Sequence, residues 1–214
     1  MMLCASTTPP LARAGGRGHV GVMMTRLVIL GLGFSGAAVA ADAVRRGWSV
    51  AGTARDPAQV AAPPGVDALP FAAAGPAIAS ATHLLVTAPP GDGGDPVLAA
   101  HGAALAAAQA LRWVGYVSTT GVYGNRGGAT VDETAEPAPG QDRSRRRLIA
   151  EQAWRAALPG VALDLMRAGG IYGPGRSAFD DLRAGTARRV TKPGHAFGRI
   201  HCDDIALAAR RRDI

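Results

Sequence analysis

Three observations predict that this chain folds as an α/β protein, with a doubly wound parallel sheet covered by helices on both faces. Short, continuously apolar runs alternate with alanine-rich stretches of helical length. The first apolar run leads directly into a glycine-rich turn. The composition is 48% hydrophobic but only 5% aromatic, so the core must pack small aliphatic side chains, which suits close contact between helices and a sheet. Buried strands that alternate with helices are typical of parallel sheets.

The predicted elements follow one another in strand–helix order. Strands are predicted at 26–30, 48–53, 83–87, 114–118 and 161–166, with one further short strand near 68–71. Helices are predicted at 37–46, 97–111 and 147–158, and Gly47 is placed to cap the first of them. Glu151 and Arg155 have the i,i+4 spacing of a helical ion pair.

The turn after the first predicted strand reads Gly31-Leu32-Gly33-Phe34-Ser35-Gly36. In turns of this spacing the first glycine allows a sharp bend, the second lets the backbone approach phosphate, and the third lets helix and strand pack closely. The helix N-terminus at Phe34 and Ser35 offers N–H groups and the positive end of the helix dipole to a pyrophosphate. The motif lies directly between a strand and a helix, which predicts a Rossmann-type dinucleotide-binding unit.

The end of the second strand bears on which dinucleotide binds. An acidic residue there binds the ribose 2′-hydroxyl of NAD, whereas an arginine suits the 2′-phosphate of NADP. Arg55 falls near this position, and Asp56 would serve NAD if the strand ended one residue later. The residues therefore favour NADP and leave NAD open. Ala88 and Pro89, which close the strand at 83–87, are further candidates for cofactor contact.

Three later segments carry a more specific signal. They are 116–124 (YVSTTGVYG, followed by Val131-Asp132-Glu133 and Pro137), 167–176 (RAGGIYGPGR) and 200–206 (IHCDDIA). In this order they resemble the NAD-dependent epimerase/dehydratase family of extended short-chain dehydrogenases/reductases. The resemblance implies an NAD(P)-binding Rossmann domain over 24–168 and a substrate-lobe segment over 169–214. Because relatives continue further, we expect this small C-terminal lobe to be incomplete.

The resemblance also implies roles for individual residues. Thr119 matches the family's catalytic Ser/Thr, which hydrogen-bonds the substrate oxygen, although it could instead satisfy loop backbone. The family's acid/base is a tyrosine with a lysine four residues later. Counting back from Glu151 places Arg147 and Arg143 at these two positions, so the Tyr-x-x-x-Lys pair is absent. Arginine does not deprotonate in proteins, but Arg147 could hold a ribose or phosphate. Tyr123 is either a substitute catalytic acid or a packing residue of the cofactor wall.

Segment 201–204 contains residue types that ligate metals, yet the resemblance makes it a structural turn that opens a helix, with Asp203 as its N-cap. We therefore expect no metal site. Cys4 and Cys202 are the only cysteines, and they indicate neither a disulfide framework nor a metal spacing.

The charge and the apolar runs of the chain indicate which classes of partner to expect. The formal net charge is +7, but the arginine runs at 145–147 and 210–212 are short and are not interleaved with aromatic residues, so we expect no nucleic-acid partner. No apolar run reaches the length that spans a bilayer, so we expect no membrane partner and a cytoplasmic location. The expected partners are a dinucleotide and a small-molecule substrate, with a homodimer as one option for assembly.

Residues 1–23 carry Arg13 and Arg17 but no acidic residue, as organelle transit peptides do. The pair Met23-Met24 stands immediately before the first strand, which favours a disordered or non-native N-terminal extension.

Together these patterns predict an NAD(P)-dependent oxidoreductase or epimerase-like protein that acts on a small carbonyl, alcohol or nucleotide-sugar type of substrate. The missing tyrosine and lysine keep a second interpretation open, a non-catalytic NADP-binding or sensor protein.

Overall fold

A computed structural model of the chain describes residues 2–7, 24–189, 191 and 197–210. Its central element is a seven-stranded sheet of β1 (Met2–Thr7), β2 (Arg26–Leu30), β3 (Ser49–Ala54), β4 (Val66–Pro70), β5 (His83–Val86), β6 (Trp113–Thr119) and β7 (Ala162–Ala168). The spatial order is β1-β7-β6-β5-β2-β3-β4. All neighbouring pairs are parallel except β1 with β7. Numbered from β2, the six parallel strands have the 3-2-1-4-5-6 order of the Rossmann fold.

Helices cover both faces of this sheet. They are α1 (Phe34–Arg45), α2 (Gly75–Ala79), α3 (Pro96–Ala107), α4 (Asp142–Ala157), α5 (Ala178–Arg183) and α6 (Cys202–Arg210). Alternate residues of each strand face opposite sides: Val28 and Leu30 pack with residues of α2, α3 and α4, while Leu27 and Ile29 pack with residues of α1 and α6. The predicted doubly wound sheet is thus confirmed, and none of the described helices is both long and apolar enough to cross a membrane.

The C-terminal part is less separate than the predicted boundary at residue 168 indicates. A small parallel sheet pairs β8 (Gly170–Tyr172) with β9 (Arg199–His201). Helix α6 then returns to the main sheet, where Ile205 and Ala206 are buried in the same cluster as Val39 and Ala40 of α1. Helix α6 therefore forms part of one helical layer of the Rossmann unit.

The N-terminal range also differs from the prediction. A disordered or non-native extension is predicted over 1–23, but Met2–Thr7 forms strand β1, which pairs antiparallel with β7 at the edge of the sheet. Residues 8–23 lie outside the described part of the chain. This pairing is between segments far apart in sequence, so no local pattern predicted it.

Candidate functional site

The candidate site lies at the carboxyl edge of the sheet, where the strand order reverses between β2 and β5. Ligands of open α/β sheets bind at such switch points. The glycine turn follows β2 and is tied to both neighbouring strands. The backbone N–H of Gly31 donates to Thr53 Oγ1 at the end of β3 over 3.0 Å. Thr87, directly after β5, donates its hydroxyl to the Gly31 carbonyl oxygen over 2.5 Å.

The three glycines of the turn differ in what surrounds the position of an added Cβ atom. Gly31 has a φ of +113°, and an added Cβ would lie 2.5 Å from Thr87 Oγ1. A Cβ on Gly36 would overlap the Gly31 carbonyl oxygen, as expected where a helix packs closely on a strand. A Cβ on Gly33 would meet no atom within 4 Å. The bend and the close packing are thus confirmed, and the open space at Gly33 fits the approach of a phosphate.

The N-terminus of α1 also fits an anion. Gly33 is its N-cap, no side chain of the described chain caps it, and its first turn holds no acidic residue. The backbone N–H groups that begin at Phe34 and Ser35 are therefore available to a ligand, at the positive end of the helix dipole. These residues fit the pyrophosphate of a dinucleotide.

The two charged residues after β3 differ in their local roles. Asp56 caps the short 3-10 helix Pro57–Gln59. Its two carboxylate oxygens accept from the backbone N–H of Ala58 over 3.1 Å and from Gln59 Nε2 over 2.7 Å. Arg55 is exposed directly after the strand ends. The carboxylate that NAD would need is thus occupied in a turn, while the guanidinium that suits NADP is accessible.

Arg147, at the family's lysine position, is fixed between the ends of β5 and β6. Its Nη1 donates to the Val117 carbonyl over 2.9 Å, to the Tyr116 hydroxyl over 3.1 Å and to the Ala88 carbonyl over 3.5 Å. The side chain remains half-buried, so part of it faces the edge of the sheet. Ala88 therefore lies within reach of this cation, and Pro89 follows it as an exposed loop residue.

Tyr116 is not an acid/base candidate in spite of its position next to Arg147. Its side chain is fully buried. Burial raises the pKa of Tyr116 to about 12, and the opposing effect of the Arg147 charge and hydrogen bond is smaller. The phenol therefore stays protonated at neutral pH and serves to hold Arg147.

Thr119 is the last residue of β6 and is half-buried at the carboxyl edge. Its Oγ1 accepts from the backbone N–H of Gly121 over 3.1 Å and so caps the 3-10 helix Thr120–Tyr123. This contact is the loop support that one interpretation of the sequence predicts. The hydroxyl proton can still donate to a substrate oxygen, so the catalytic interpretation stays a prediction.

Tyr123 is placed in the interior instead of at the cleft. It is 1% exposed, its hydroxyl accepts from Arg167 Nη1 over 2.8 Å, and the Arg167 guanidinium carbon lies 4.8 Å from its ring centroid. A general acid must reach the substrate proton, which a buried, bonded phenol does not. This geometry supports the packing interpretation of Tyr123.

The predicted ion pair between Glu151 and Arg155 is wrong. The i,i+4 spacing suggested a pair with Arg155, but Glu151 is fully buried and pairs with Arg167 over 2.6 Å. Ser118 also donates its hydroxyl to Glu151 Oε1 over 2.5 Å. The sequence did not predict Arg167 as the partner of Glu151, although a charged residue close to the end of a largely buried strand is a signal that a buried acid accompanies it.

The segment His201–Asp203 behaves as a helix start. The three potential ligand atoms lie within 4.8 Å of one another. Asp203 was predicted as the N-cap, but α6 begins at Cys202, and His201 Nδ1 accepts from the Asp203 backbone N–H over 3.3 Å. The capping side chain is therefore that of His201, and local hydrogen bonds account for the closeness of the three groups.

The strand order and the glycine turn together define a Rossmann-type doubly wound α/β protein. No family model matches the chain. A search of known proteins finds Protein YeeZ of Escherichia coli K12, 30% identical over 198 residues, which cover 85% of this chain and 70% of that protein.

Solved structures agree with this relationship. A conserved protein of unknown function from Silicibacter pomeroyi is 44% identical with a TM-score of 0.80, covering 89% of this chain and 69% of that one. A proposed NAD-dependent epimerase/dehydratase from Methylobacillus flagellatus is 25% identical with a TM-score of 0.60, covering 89% and 72%. The chain therefore belongs to the same family as Protein YeeZ, and its structural neighbours are NAD-dependent epimerase/dehydratase proteins of the short-chain dehydrogenase/reductase type, as its sequence motifs indicate.

Proposed function

We propose that this protein binds NADP at the carboxyl edge of its sheet and acts as an oxidoreductase or epimerase-like enzyme on a small carbonyl, alcohol or nucleotide-sugar substrate. The observation that carries the proposal is the open space beside Gly33 at the start of α1. It lies at the switch point between β2 and β5, where a pyrophosphate would meet free N–H groups. The similarity to a proposed NAD-dependent epimerase/dehydratase supports the same class of ligand.

Arg55 supports the choice of NADP. A guanidinium binds a phosphate through two parallel, charge-assisted hydrogen bonds, and Arg55 is exposed at the end of β3. Asp56 is the alternative partner for an NAD ribose, but its carboxylate is engaged by Ala58 and Gln59. If Asp56 bound the ribose of NAD, it would have to give up its hydrogen bonds at the start of the 3-10 helix Pro57–Gln59, which would destabilise that turn.

The remaining residues position the reacting groups. A nicotinamide dinucleotide held at this site would supply hydride transfer to or from a substrate carbon. The Thr119 hydroxyl donates to the substrate oxygen, and preorganised donors of this kind stabilise charge that develops on such an oxygen. Arg147, held by Val117 and Tyr116, binds the cofactor ribose or a phosphate beside it.

A second function follows from the acid/base positions. Arg143, which stands where the family has its tyrosine, is exposed and donates through Nε to Gln141. Tyr116 and Tyr123 are both buried. This arrangement favours an NADP-binding or sensor protein that does not turn over substrate.

Two measurements test and separate these functions. Thermal unfolding with NADPH and with NADH tests binding, because a ligand at about 100 times its Kd adds about 2.7 kcal/mol of stability. We expect a larger increase in Tm with NADPH, and no increase with either dinucleotide would overturn both functions.

Turnover assays separate the enzyme from the sensor. If the wild-type protein turns over members of a carbonyl panel, and Thr119→Ala loses this activity while its NADPH binding is unchanged, the enzyme is supported. NADPH binding without turnover supports the sensor.

A further inference from the structure

We propose that Arg176 is a phosphate-binding residue that reaches the glycine turn from outside the Rossmann strands and binds the pyrophosphate of the dinucleotide. The inference rests on the proposed function, since it names a further contact for the same ligand. Arg176 is not among the site residues that the sequence predicts. It follows β8, in the part of the chain that was predicted to contact substrate.

The position of the Arg176 side chain carries the argument. Its guanidinium carbon lies 5.3 Å from the ring centroid of Phe34. Phe34 is the first residue of α1 and directly follows Gly33, so the cation lies over the side chain that follows the open glycine of the turn. A guanidinium over an aromatic face is held by the ring quadrupole, and the N–H groups at its edge remain able to bind an anion.

The backbone holds Arg176 in this place. Gly173 and Arg176 exchange two backbone hydrogen bonds, of 3.1 and 3.0 Å, across a Pro174-Gly175 pair in which Gly175 has a φ of +73°. Proline followed by such a glycine is typical of a type II turn. The turn also contacts the glycine motif, because a Cβ on Gly173 would lie 3.1 Å from Phe34 Cζ and 2.6 Å from Cys202 Sγ. The base of the turn at Gly173 is therefore packed against α1 and α6, and the two backbone hydrogen bonds set where Arg176 leaves the turn.

The charge of Arg176 is not neutralised by a salt bridge in the described part of the chain. Within the described residues, no carboxylate forms a salt bridge with Arg176, whereas Arg183 in the same region pairs with Asp180. Arg176 is exposed, and it stands next to a helix N-terminus, which is itself electropositive. Two positive groups held side by side by the fold gain most when a dianionic pyrophosphate lies between them.

Binding measurements with NADPH and NADH test the inference, because both contain the pyrophosphate and only NADPH contains the 2′-phosphate. Arg176→Gln should weaken both dinucleotides by about tenfold, which is the loss of one charge-assisted contact, and reduce the salt dependence of binding. Arg55→Ala should weaken NADPH alone. Arg183→Gln, an exposed arginine of the same region, is the matched control and should change neither affinity.

Three outcomes overturn the inference. Equal affinity of wild type and Arg176→Gln for both dinucleotides removes Arg176 from the site while leaving the proposed function intact. An unchanged dinucleotide affinity with weaker binding of UDP assigns Arg176 to a substrate phosphate instead. Absence of any dinucleotide binding by the wild type, folded by its unfolding transition, overturns the proposed function and this inference together. Because Arg176 is exposed, its variant should keep the wild-type Tm, so a loss of affinity cannot be ascribed to misfolding.

Discussion

Arg167 and Glu151 form an ion pair that is closed off from solvent, with 2.6 Å between Nη2 and Oε2 and side-chain exposures of 3% and 0%. The pair joins β7 to α4, and it is hydrogen-bonded to Ser118 at the end of β6 and to Tyr123. Burial alone lowers the pKa of Arg167, but the hydrogen bonds and charge of Glu151, together with Tyr123, offset this and raise the pKa above its ordinary value. The guanidinium is therefore charged in the interior and depends on its partners.

Removing either member of this pair should be strongly destabilising. Glu151→Leu or Arg167→Met leaves one buried charge without its partner, and we expect a loss of about 3–5 kcal/mol in the free energy of unfolding. The double variant should recover much of this loss, because two apolar groups replace the pair. Urea unfolding of the four proteins measures the coupling. Single variants within about 1 kcal/mol of wild type would show that the interior tolerates the lone charge.

His83 should make the fold sensitive to acid. Burial, followed by the nearby charges of Arg112 and Arg46, lowers the pKa of His83 from 6.5 to about 4. Its Nδ1 is hydrogen-bonded to Thr82 Oγ1 over 2.7 Å, and its ring centroid lies 5.1 Å from that of Trp48 and 6.2 Å from that of Trp113. The unfolded chain thus binds a proton at a higher pH than the folded chain does.

The sign of the pH effect follows. The stability that the neutral His83 ring contributes is fully present above pH 6.5 and is lost as the pH falls from 6.5 towards about 4. The total loss is on the order of 3 kcal/mol. Denaturant unfolding across this range measures it. His83→Leu should have a flatter profile than wild type, and identical slopes for the two proteins would contradict the assignment.

Gly33 and Gly36 should separate binding from folding. Gly33 has a φ of −93° and open space around its Cβ position, so Gly33→Ala should keep the wild-type Tm yet weaken NADPH binding at least about tenfold, since its methyl group occupies the phosphate space. Gly36→Ala should lower both, because its Cβ overlaps the Gly31 carbonyl.

Gly102 provides the control for these two substitutions. It lies in α3, is exposed, and has no atom within 4 Å of its Cβ position. Gly102→Ala should raise stability by about 0.5–1 kcal/mol and leave NADPH binding unchanged. A Gly33→Ala protein that binds NADPH normally would place the phosphate elsewhere.

Restoring the family's acid/base pair should raise turnover. The double variant Arg143→Tyr and Arg147→Lys rebuilds Tyr-x-x-x-Lys, and Arg143 is exposed enough to accept the new ring. General acid/base catalysis contributes about 10²–10⁴-fold, so we expect an increase of at least about 10²-fold in kcat with any carbonyl that the protein reduces. Steady-state assays of both single variants are the controls, and neither alone should show the gain. Equal kcat for the double variant and wild type would show that the substrate does not reach residue 143.

The parts of this structure that the sequence predicted are those fixed locally. The β2–turn–α1 unit is set by hydrophobic pattern and by glycines whose reasons lie within a few residues. The contacts that it did not predict join distant segments. Nothing near Glu151 identifies Arg167 as its partner, so the local spacing pointed wrongly to Arg155. Likewise, Arg176 and Phe34 are far apart in the sequence, and only the folded sheet brings them into contact.

The hydrogen bond from Thr87 to the Gly31 carbonyl has a thermodynamic consequence. It links the glycine turn to the loop 88–95 that follows β5. Two arginines of α4 contact this loop: Arg147 bonds to Ala88, and Arg146 pairs with Asp92. A ligand that orders the turn therefore also favours one conformation of this loop. If a bound dinucleotide tightens the binding of a substrate that contacts the loop, that substrate must tighten dinucleotide binding by the same factor, because such linkage is reciprocal. Thr87→Val, which removes the hydrogen bond, should make the two affinities independent of each other.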